Sequence, residues 1–394
     1  MSKADVAVTG YSETPVSRAR LERGEQKLAI EHYYAWALHL LLQQTGLTIQ
    51  DFRGQGVGVM GSAFPRAEIW SAEVVQNLGL EPKLLLRADH GGANGAALLV
   101  AGTLAIHAGY VDHFLILGAD TPMNIVGEGA LTWRYELDYL MPVGMMGPNS
   151  MAAMIMRRQM HEFGYRPEHY GKVSVSQREN ASKNPNAYFR APLKMEEYLA
   201  SPLISDPLRM LDICPFVNGG FALLLSRKKS GEQITDRPVS VSGFGSWHNL
   251  DSSKNLKDIT SSGLKVAVKQ AIEMSGITID KIGLFNPYDD YTPMVLMQLE
   301  DSGFCGKGEA GKFLEENDIT YRGSIPLNTG GGLLSFGQAG MAGGMHHLIE
   351  AVRQLRGEAG ERQVKNLEYA LVTALGALEH GGTFINNYAI VLGV

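Results

Sequence analysis

Short apolar runs and amphipathic stretches alternate along the chain. Val6–Thr9 reads as a strand, and Glu25–Gln44 carries its apolar residues at helical spacing. Gly56–Gly61 is a compact apolar run of the buried-strand kind. A short strand over Lys83–Arg87 leads into an Ala- and Leu-rich helix over Gly91–Gly109. His113–Gly118 and Phe221–Ser226 are further strands. Continuous apolar runs of this length suit a sheet covered on both faces.

The order then repeats. Val239–Gly243 reads as a strand, Ser262–Ser275 as a helix and Lys281–Phe285 as a strand. Ser324–Asn328 reads as a strand leading through glycines into a long helix over 340–355, and Tyr369–Thr373 and Tyr388–Leu392 as the last strands. Strand, glycine turn, helix and strand thus occur at Leu84–Gly118 and again at Ser324–Thr373, which points to a duplication. The class is α/β: two halves, 1–235 and 236–394, packed face to face with helices between two sheets. The segment from about 120 to 215 fits neither half. It holds Trp133–Tyr139, a Met- and Gly-rich stretch over 141–151, a helical segment ending near Phe163 and a polar run over Gln177–Pro192. Long insertions between core elements usually serve as lids or binding loops.

Composition narrows the function. With 394 residues, 45% of them hydrophobic, the chain can bury a large core. A formal charge of −6 with no basic run argues against nucleic acid. Cys214 and Cys305 lie far apart without metal-ligand spacing, which favours a reducing, cytoplasmic setting over a disulfide framework. Neither a signal peptide nor a long apolar span is visible, so no membrane partner is expected. The 46 glycines cluster at strand–helix junctions, where backbone approaches backbone or ligand.

Two of those junctions carry candidate chemistry: the turn within Leu84–Ala97 and the run Thr329–Gly344. Together with Gln298–Glu309, Pro326–Ser335, Glu350–Gly357, Asp206–Asp212 and Cys214–Gly219, they resemble the sterol-carrier-type branch of the thiolase superfamily, in order and over essentially the whole chain. The resemblance implies a duplicated thiolase fold, a five-layer αβαβα sandwich with an inserted loop region. It also implies a homodimer acting on CoA thioesters. Where thiolases carry a cysteine nucleophile before Ala-Ser-Gly, this chain has Gly92 before Ala93-Asn94-Gly95. Where they carry the histidine of Gly-His-Pro, it has Gln338 between Gly337 and Ala339. Their late Cys-x-Gly aligns near Thr373–Ala377, again without cysteine. Three losses leave no obvious route for covalent acyl transfer. One cysteine-free sub-branch includes steroid side-chain aldolases. These work with a small acyl-CoA-binding partner and release a short acyl-CoA by retro-aldol cleavage.

In thiolases the first turn opens a buried helix, whose dipole and unpaired amides hold negative charge. By that resemblance Gly91, Gly92, Asn94 and Gly337 are candidates for binding a carbonyl or oxyanion; the alternative is that the glycines only permit close packing. His90 is a candidate base or a hydrogen-bonded structural residue. The loop Asn286–Pro293 lies where thiolases place Asn-Glu-Ala-Phe, so Tyr288, Asp289, Asp290 and Tyr291 become candidate acids and bases, or parts of an ordinary turn. Gln338 cannot shuttle a proton but can donate from its amide to a thioester oxygen. His346 and His347 read as helix-surface or interface residues, and both cysteines as small buried residues. Arg66, Lys172, Arg178, Lys183, Arg190 and Lys194 are candidates for the CoA phosphates. No metal-ligand spacing is present, and no cofactor is expected beyond the CoA of the substrate. The leading expectation is a thiolase-fold lyase cleaving a β-hydroxyacyl-CoA, with a steroid or other bulky side chain, beside a small zinc-ribbon/OB-fold partner. The alternatives are a thiolase-type acyltransferase and a non-catalytic subunit of an acyl-CoA complex.

Overall fold

The computed structural model describes residues 5–19, 28–62, 69–122, 138, 141–145, 147–249, 258–379 and 383–394. The principal strands are β1 (Val6–Glu13), β2 (Gly56–Met60), β3 (Leu84–Ala88), β4 (His113–Asp120), β5 (Val217–Arg227), β6 (Val239–His248), β7 (Leu284–Asn286), β8 (Tyr369–Glu379) and β9 (Thr383–Gly393). The helices that build the layers are α1 (Ile30–Thr45), α2 (Trp70–Asn77), α3 (Asn94–His107), α4 (Gly147–Phe163), α5 (Pro167–Ser182), α6 (Leu264–Ser275), α7 (Thr292–Asp301), α8 (Gly332–Phe336) and α9 (Met345–Leu355).

The strands run in the order β7-β8-β9-β6-β1-β5-β4-β2-β3. On the N-terminal side, β2 is parallel to β3 and β4, and β5 is antiparallel to β4 and β1. On the C-terminal side, β7 is parallel to β8, and β9 is antiparallel to β8 and β6. The two half-sheets touch edge to edge through Ala7–Ser240 and Val8–Val239.

Side-chain alternation separates the layers. Phe114 and Ile116 of β4 and Phe221, Leu223 and Leu225 of β5 face a central core shared with Leu98 and Leu99 of α3 and Leu348 and Val352 of α9. Tyr388, Ile390 and Leu392 of β9 enter the same core from the other half-sheet. The intervening residues point outward: Leu115, Leu117, Ala222 and Leu224 pack under α1 and α2. In the C-terminal half, Leu371, Ala389 and Val391 pack under α6 and α7. The result is the αβαβα sandwich, with α3 and α9 as its middle layer.

Three expectations change. Ser324–Asn328 forms no regular strand: Pro326 has no N–H to donate, and contact with β7 reduces to the parallel bridge Phe285–Leu327. His346 and His347 are buried in α9 rather than on a surface, bonded to Glu13 and Asp289 respectively. The inserted segment is less of a loop than its polarity suggests. α4 and α5 bury Ile155, Met156, Tyr170 and Val173 in the outer core of the C-terminal half, and α5 takes up the first residues of the polar run. Trp133–Tyr139, except Asp138, lies outside the described residues.

Candidate active site

The first turn forms as the sequence predicts. β3 ends at Ala88, a 3-10 turn spans Gly91–Ala93, and α3 starts at Asn94. The Gly91 and Gly92 N–H groups open this turn, where a helix leaves donors without intrahelical partners. The second loop leaves β7 at Asn286 and enters α7 at Thr292, with Pro293 in the first helical turn. Its backbone is held by one side chain. Gln298 accepts from the Tyr288 N–H at 3.1 Å and donates to the Tyr288 carbonyl at 2.6 Å. Thr373 in β8 donates to the same amide oxygen at 2.8 Å.

These loops meet at a cavity of about 570 Å³ lined by Gly91, Gly92, Tyr288, Asp290 and Gln338 at its polar end. Met341, Leu375, Leu378 and Phe384 give it an apolar wall. Tyr288 is the pivot. A side-chain carbon built on Gly92 would lie 2.0 Å from the Tyr288 hydroxyl oxygen. The phenol therefore fills the space that a side chain at residue 92 would take, and the two residue choices depend on each other. Gly92→Ala is expected to displace Tyr288, costing about 1–3 kcal/mol as an overpacked site does. Thermal denaturation alongside turnover checks this: a stable, fully active Gly92→Ala protein would contradict the coupling.

Gln338 Nε2 donates to the Tyr288 hydroxyl at 2.8 Å, which favours the phenolate. Burial and the nearby Asp290 outweigh that bond and hold the phenol well above its ordinary pKa. Tyr288 is thus a neutral acid whose oxygen already accepts one bond, leaving its proton to give. Asp290 is the opposite case. Burial, and then the charge of Asp289, push its carboxyl up to about 8. Its Oδ1 is buried without a hydrogen-bond partner. A buried carboxyl with one unpaired oxygen beside a cavity is a group poised to exchange a proton.

Several candidates take other positions. Asp289 turns away from the cavity: it accepts from the Leu333 and Leu334 amides at the start of α8, at 2.9 and 3.2 Å, and bonds His347 at 2.7 Å. Tyr291 donates to Asn149 at 2.7 Å. Asn94 accepts from the His90 N–H at 2.6 Å, so its side chain caps the turn instead of facing a ligand. Gly337 spends its N–H on Leu333 at 3.0 Å. The His90 ring bonds the Tyr388 hydroxyl at 2.9 Å and meets His248 edge-on, and burial lowers its pKa. It braces the end of β3 beside the cavity. Among the candidates for CoA phosphates, Arg66 lies outside the described residues, Lys183 pairs with Glu361, and Arg178 bonds Ser335. Lys172, Arg190 and Lys194 do not line the cavity. The cation that does is Arg87, which sequence reasoning missed; an arginine closing the apolar run Leu84–Leu86 was the available signal.

Neither thiol is set up as a nucleophile. Burial pushes Cys214 well above the usual thiol range and Cys305 up to about 12. A thiolase-type attack needs the reverse shift.

Comparison with known proteins shows the family. The family model described as thiolase C-terminal domain-like matches residues 245–394. A protein of Mycobacterium tuberculosis named 17-hydroxy-3-oxo-4-pregnene-20-carboxyl-CoA lyase is 30% identical, over 100% of both chains. An acetyl-CoA acetyltransferase of Methanothermobacter thermautotrophicus is 32% identical, over 87% of this chain and 89% of its own. The chain belongs to the thiolase superfamily. The solved structure titled Ltp2-ChsH2(DUF35) aldolase superposes with a TM-score of 0.86 at 28% identity, covering 100% of this chain and 98% of its own. This thiolase-superfamily enzyme has glycine, not cysteine, at residue 92. Among its described residues, no helix is long and apolar enough to cross a membrane.

Proposed function

We propose that this thiolase-superfamily enzyme is a carbon–carbon lyase that cleaves a β-hydroxyacyl-CoA by retro-aldol chemistry. The observation that carries the reading is Tyr288, whose hydroxyl fills the space beside Gly92 where a nucleophile would stand. The Asp290 carboxylate takes the β-hydroxyl proton. The released O–H electrons form the new carbonyl, and the Cα–Cβ bond breaks with its pair passing to Cα and the thioester oxygen. The Gly91 and Gly92 amides and the second N–H of Gln338 hold that oxygen. Tyr288 gives its proton to Cα, and Asp290 then returns the abstracted proton to Tyr288. One proton has moved from oxygen to carbon, and no redox partner or free CoA is consumed. CoA enters only as part of the substrate, and no other cofactor is needed.

The apolar wall of Met341, Leu375, Leu378 and Phe384 suits a bulky acyl group, such as the pregnene-carboxyl group in the name of the mycobacterial relative. By analogy with the two-component aldolase of similar fold, the enzyme works with a small acyl-CoA-binding partner of zinc-ribbon/OB-fold type, and as a homodimer. We place it in the cytoplasm, and divide it at 235/236 into N- and C-terminal halves.

The test is mass spectrometry of the purified protein, with and without that partner, incubated with a panel of β-hydroxyacyl-CoA thioesters. Acetyl- or propionyl-CoA should appear with an equimolar ketone or aldehyde, and the protein mass should stay unchanged. An acyl adduct on Cys214 or Cys305 would restore the acyltransferase reading. Silence across the panel with tight thioester binding would make the chain a scaffold.

A further inference from the structure

The segment Ile213–Val217 ties the two catalytic loops together. Its backbone pairs with the Asn286–Thr292 loop through the Ile213–Tyr291 bridge, and the Cys214 N–H donates to the Asp290 carbonyl at 3.0 Å. It also pairs with the segment after α8, on both sides of Gln338. The Gln338 N–H donates to Pro215 at 2.8 Å, and Val217 donates to the Gln338 carbonyl at 3.0 Å. These bonds fix the Cα of Gln338, but they do not choose which end of its side-chain amide meets Tyr288.

The Cys214 side chain makes that choice. Its thiol donates to Gln338 Oε1 at 2.9 Å. With Oε1 held there, Nε2 is the end that reaches the Tyr288 hydroxyl, at 2.8 Å. The polarity of the chain is then set throughout: thiol to amide oxygen, amide N–H to phenol oxygen, phenol proton toward the cavity. With the amide reversed, Oε1 would accept the phenol proton and withdraw it from the reacting carbon. We propose that Cys214 is a positioning residue, which orients the Gln338 amide so that Tyr288 keeps its proton for the substrate. This rests on the retro-aldol reading for its consequence in catalysis, though the orientation itself is independent of turnover. The thiol acts as a protonated donor, in keeping with its burial, and forms no bond to substrate.

The test pairs kinetics with a readout on Tyr288. Cys214→Ala removes the donor with little change in volume, and Cys214→Ser restores one. Cys214→Ala should lower kcat about tenfold with KM little changed, the size expected for one lost hydrogen bond. The ¹³Cζ resonance of labelled Tyr288, assigned by its loss in Tyr288→Phe, should shift at neutral pH in Cys214→Ala. It should return toward its original position in Cys214→Ser. In a Gln338→Leu background, Cys214→Ala should shift it no further. A purely space-filling cysteine would alter thermal stability and leave the Tyr288 resonance in place. The proposal is overturned by an unmoved resonance in Cys214→Ala, by an equal shift in the Gln338→Leu background, or by failure of serine to restore it. Should no β-hydroxyacyl-CoA be cleaved by any form of the protein, the retro-aldol reading fails, while the resonance still decides the role of Cys214.

Discussion

Tyr288→Phe is expected to lower kcat by about 10³-fold, within the range for losing a positioned proton donor. The ring keeps its packing, so the fold should persist. What is lost is the hydroxyl that accepts from Gln338 at 2.8 Å and faces the cavity. The Gln338 amide is left with an unpaired N–H, a stability cost of about 1–3 kcal/mol that thermal denaturation would register. Substrate binding should change little, because the proposed mechanism holds the thioester with the amide turn and the apolar wall. Steady-state kinetics should therefore show the loss in kcat with KM within a few-fold of the starting value. A Tyr288→Phe protein with undiminished kcat would remove the phenol from the mechanism.

Asp290→Asn is the second large effect, a fall in kcat of about 10²–10⁴-fold as the base is removed. It also has a distinctive pH signature. Burial and the neighbouring Asp289 raise the Asp290 carboxyl from an ordinary 3.8 to about 8. Only the ionised form takes the β-hydroxyl proton, so kcat/KM of the unaltered enzyme should climb with pH and level off above about 8. Asn cannot ionise, and that limb should vanish. Stability moves the other way. Between the unfolded value of 3.8 and the folded value of about 8, the folded chain holds a proton that the unfolded chain has released. The contribution of Asp290 therefore falls as pH rises through that window and stays low above it. Asp290→Asn should escape the fall and melt at a higher temperature than the unaltered protein at pH 9, with the gap closing toward pH 4. Equal pH dependence of melting in both proteins would contradict the raised carboxyl.

The layers were legible because the apolar runs are unbroken and repeat in order. Phe114–Leu117 and Phe221–Leu225 are buried on both faces, and such runs admit little besides a covered sheet. The glycine turn at Gly91–Gly95 was legible for a local reason, an abrupt change from strand to helix period. Within Asn286–Pro293 the sequence marked the right loop but could not separate its members. Tyr288 and Asp290 reach the cavity, whereas Asp289 caps α8 and Tyr291 bonds Asn149. That division depends on contacts with residues far away in the chain, which no local pattern encodes. The same applies to Cys214, whose spacing says nothing, and to Glu13 and Asp289, which turn His346 and His347 into core residues. Arg87 was the missed local signal: a charge within the otherwise apolar strand Leu84–Ala88, and lining the cavity.

The central claim is cleavage without a cysteine nucleophile, and the most direct test is whether it consumes free CoA. In a single-turnover assay with a β-hydroxyacyl-CoA substrate and enzyme stripped of free CoA, short acyl-CoA and its carbonyl co-product should form at a rate that added CoA leaves unchanged. Acid-quenched protein should carry no acyl group. Cleavage that requires stoichiometric CoA, or an acylated cysteine in the quenched protein, would contradict the account and return the chain to thiolytic chemistry.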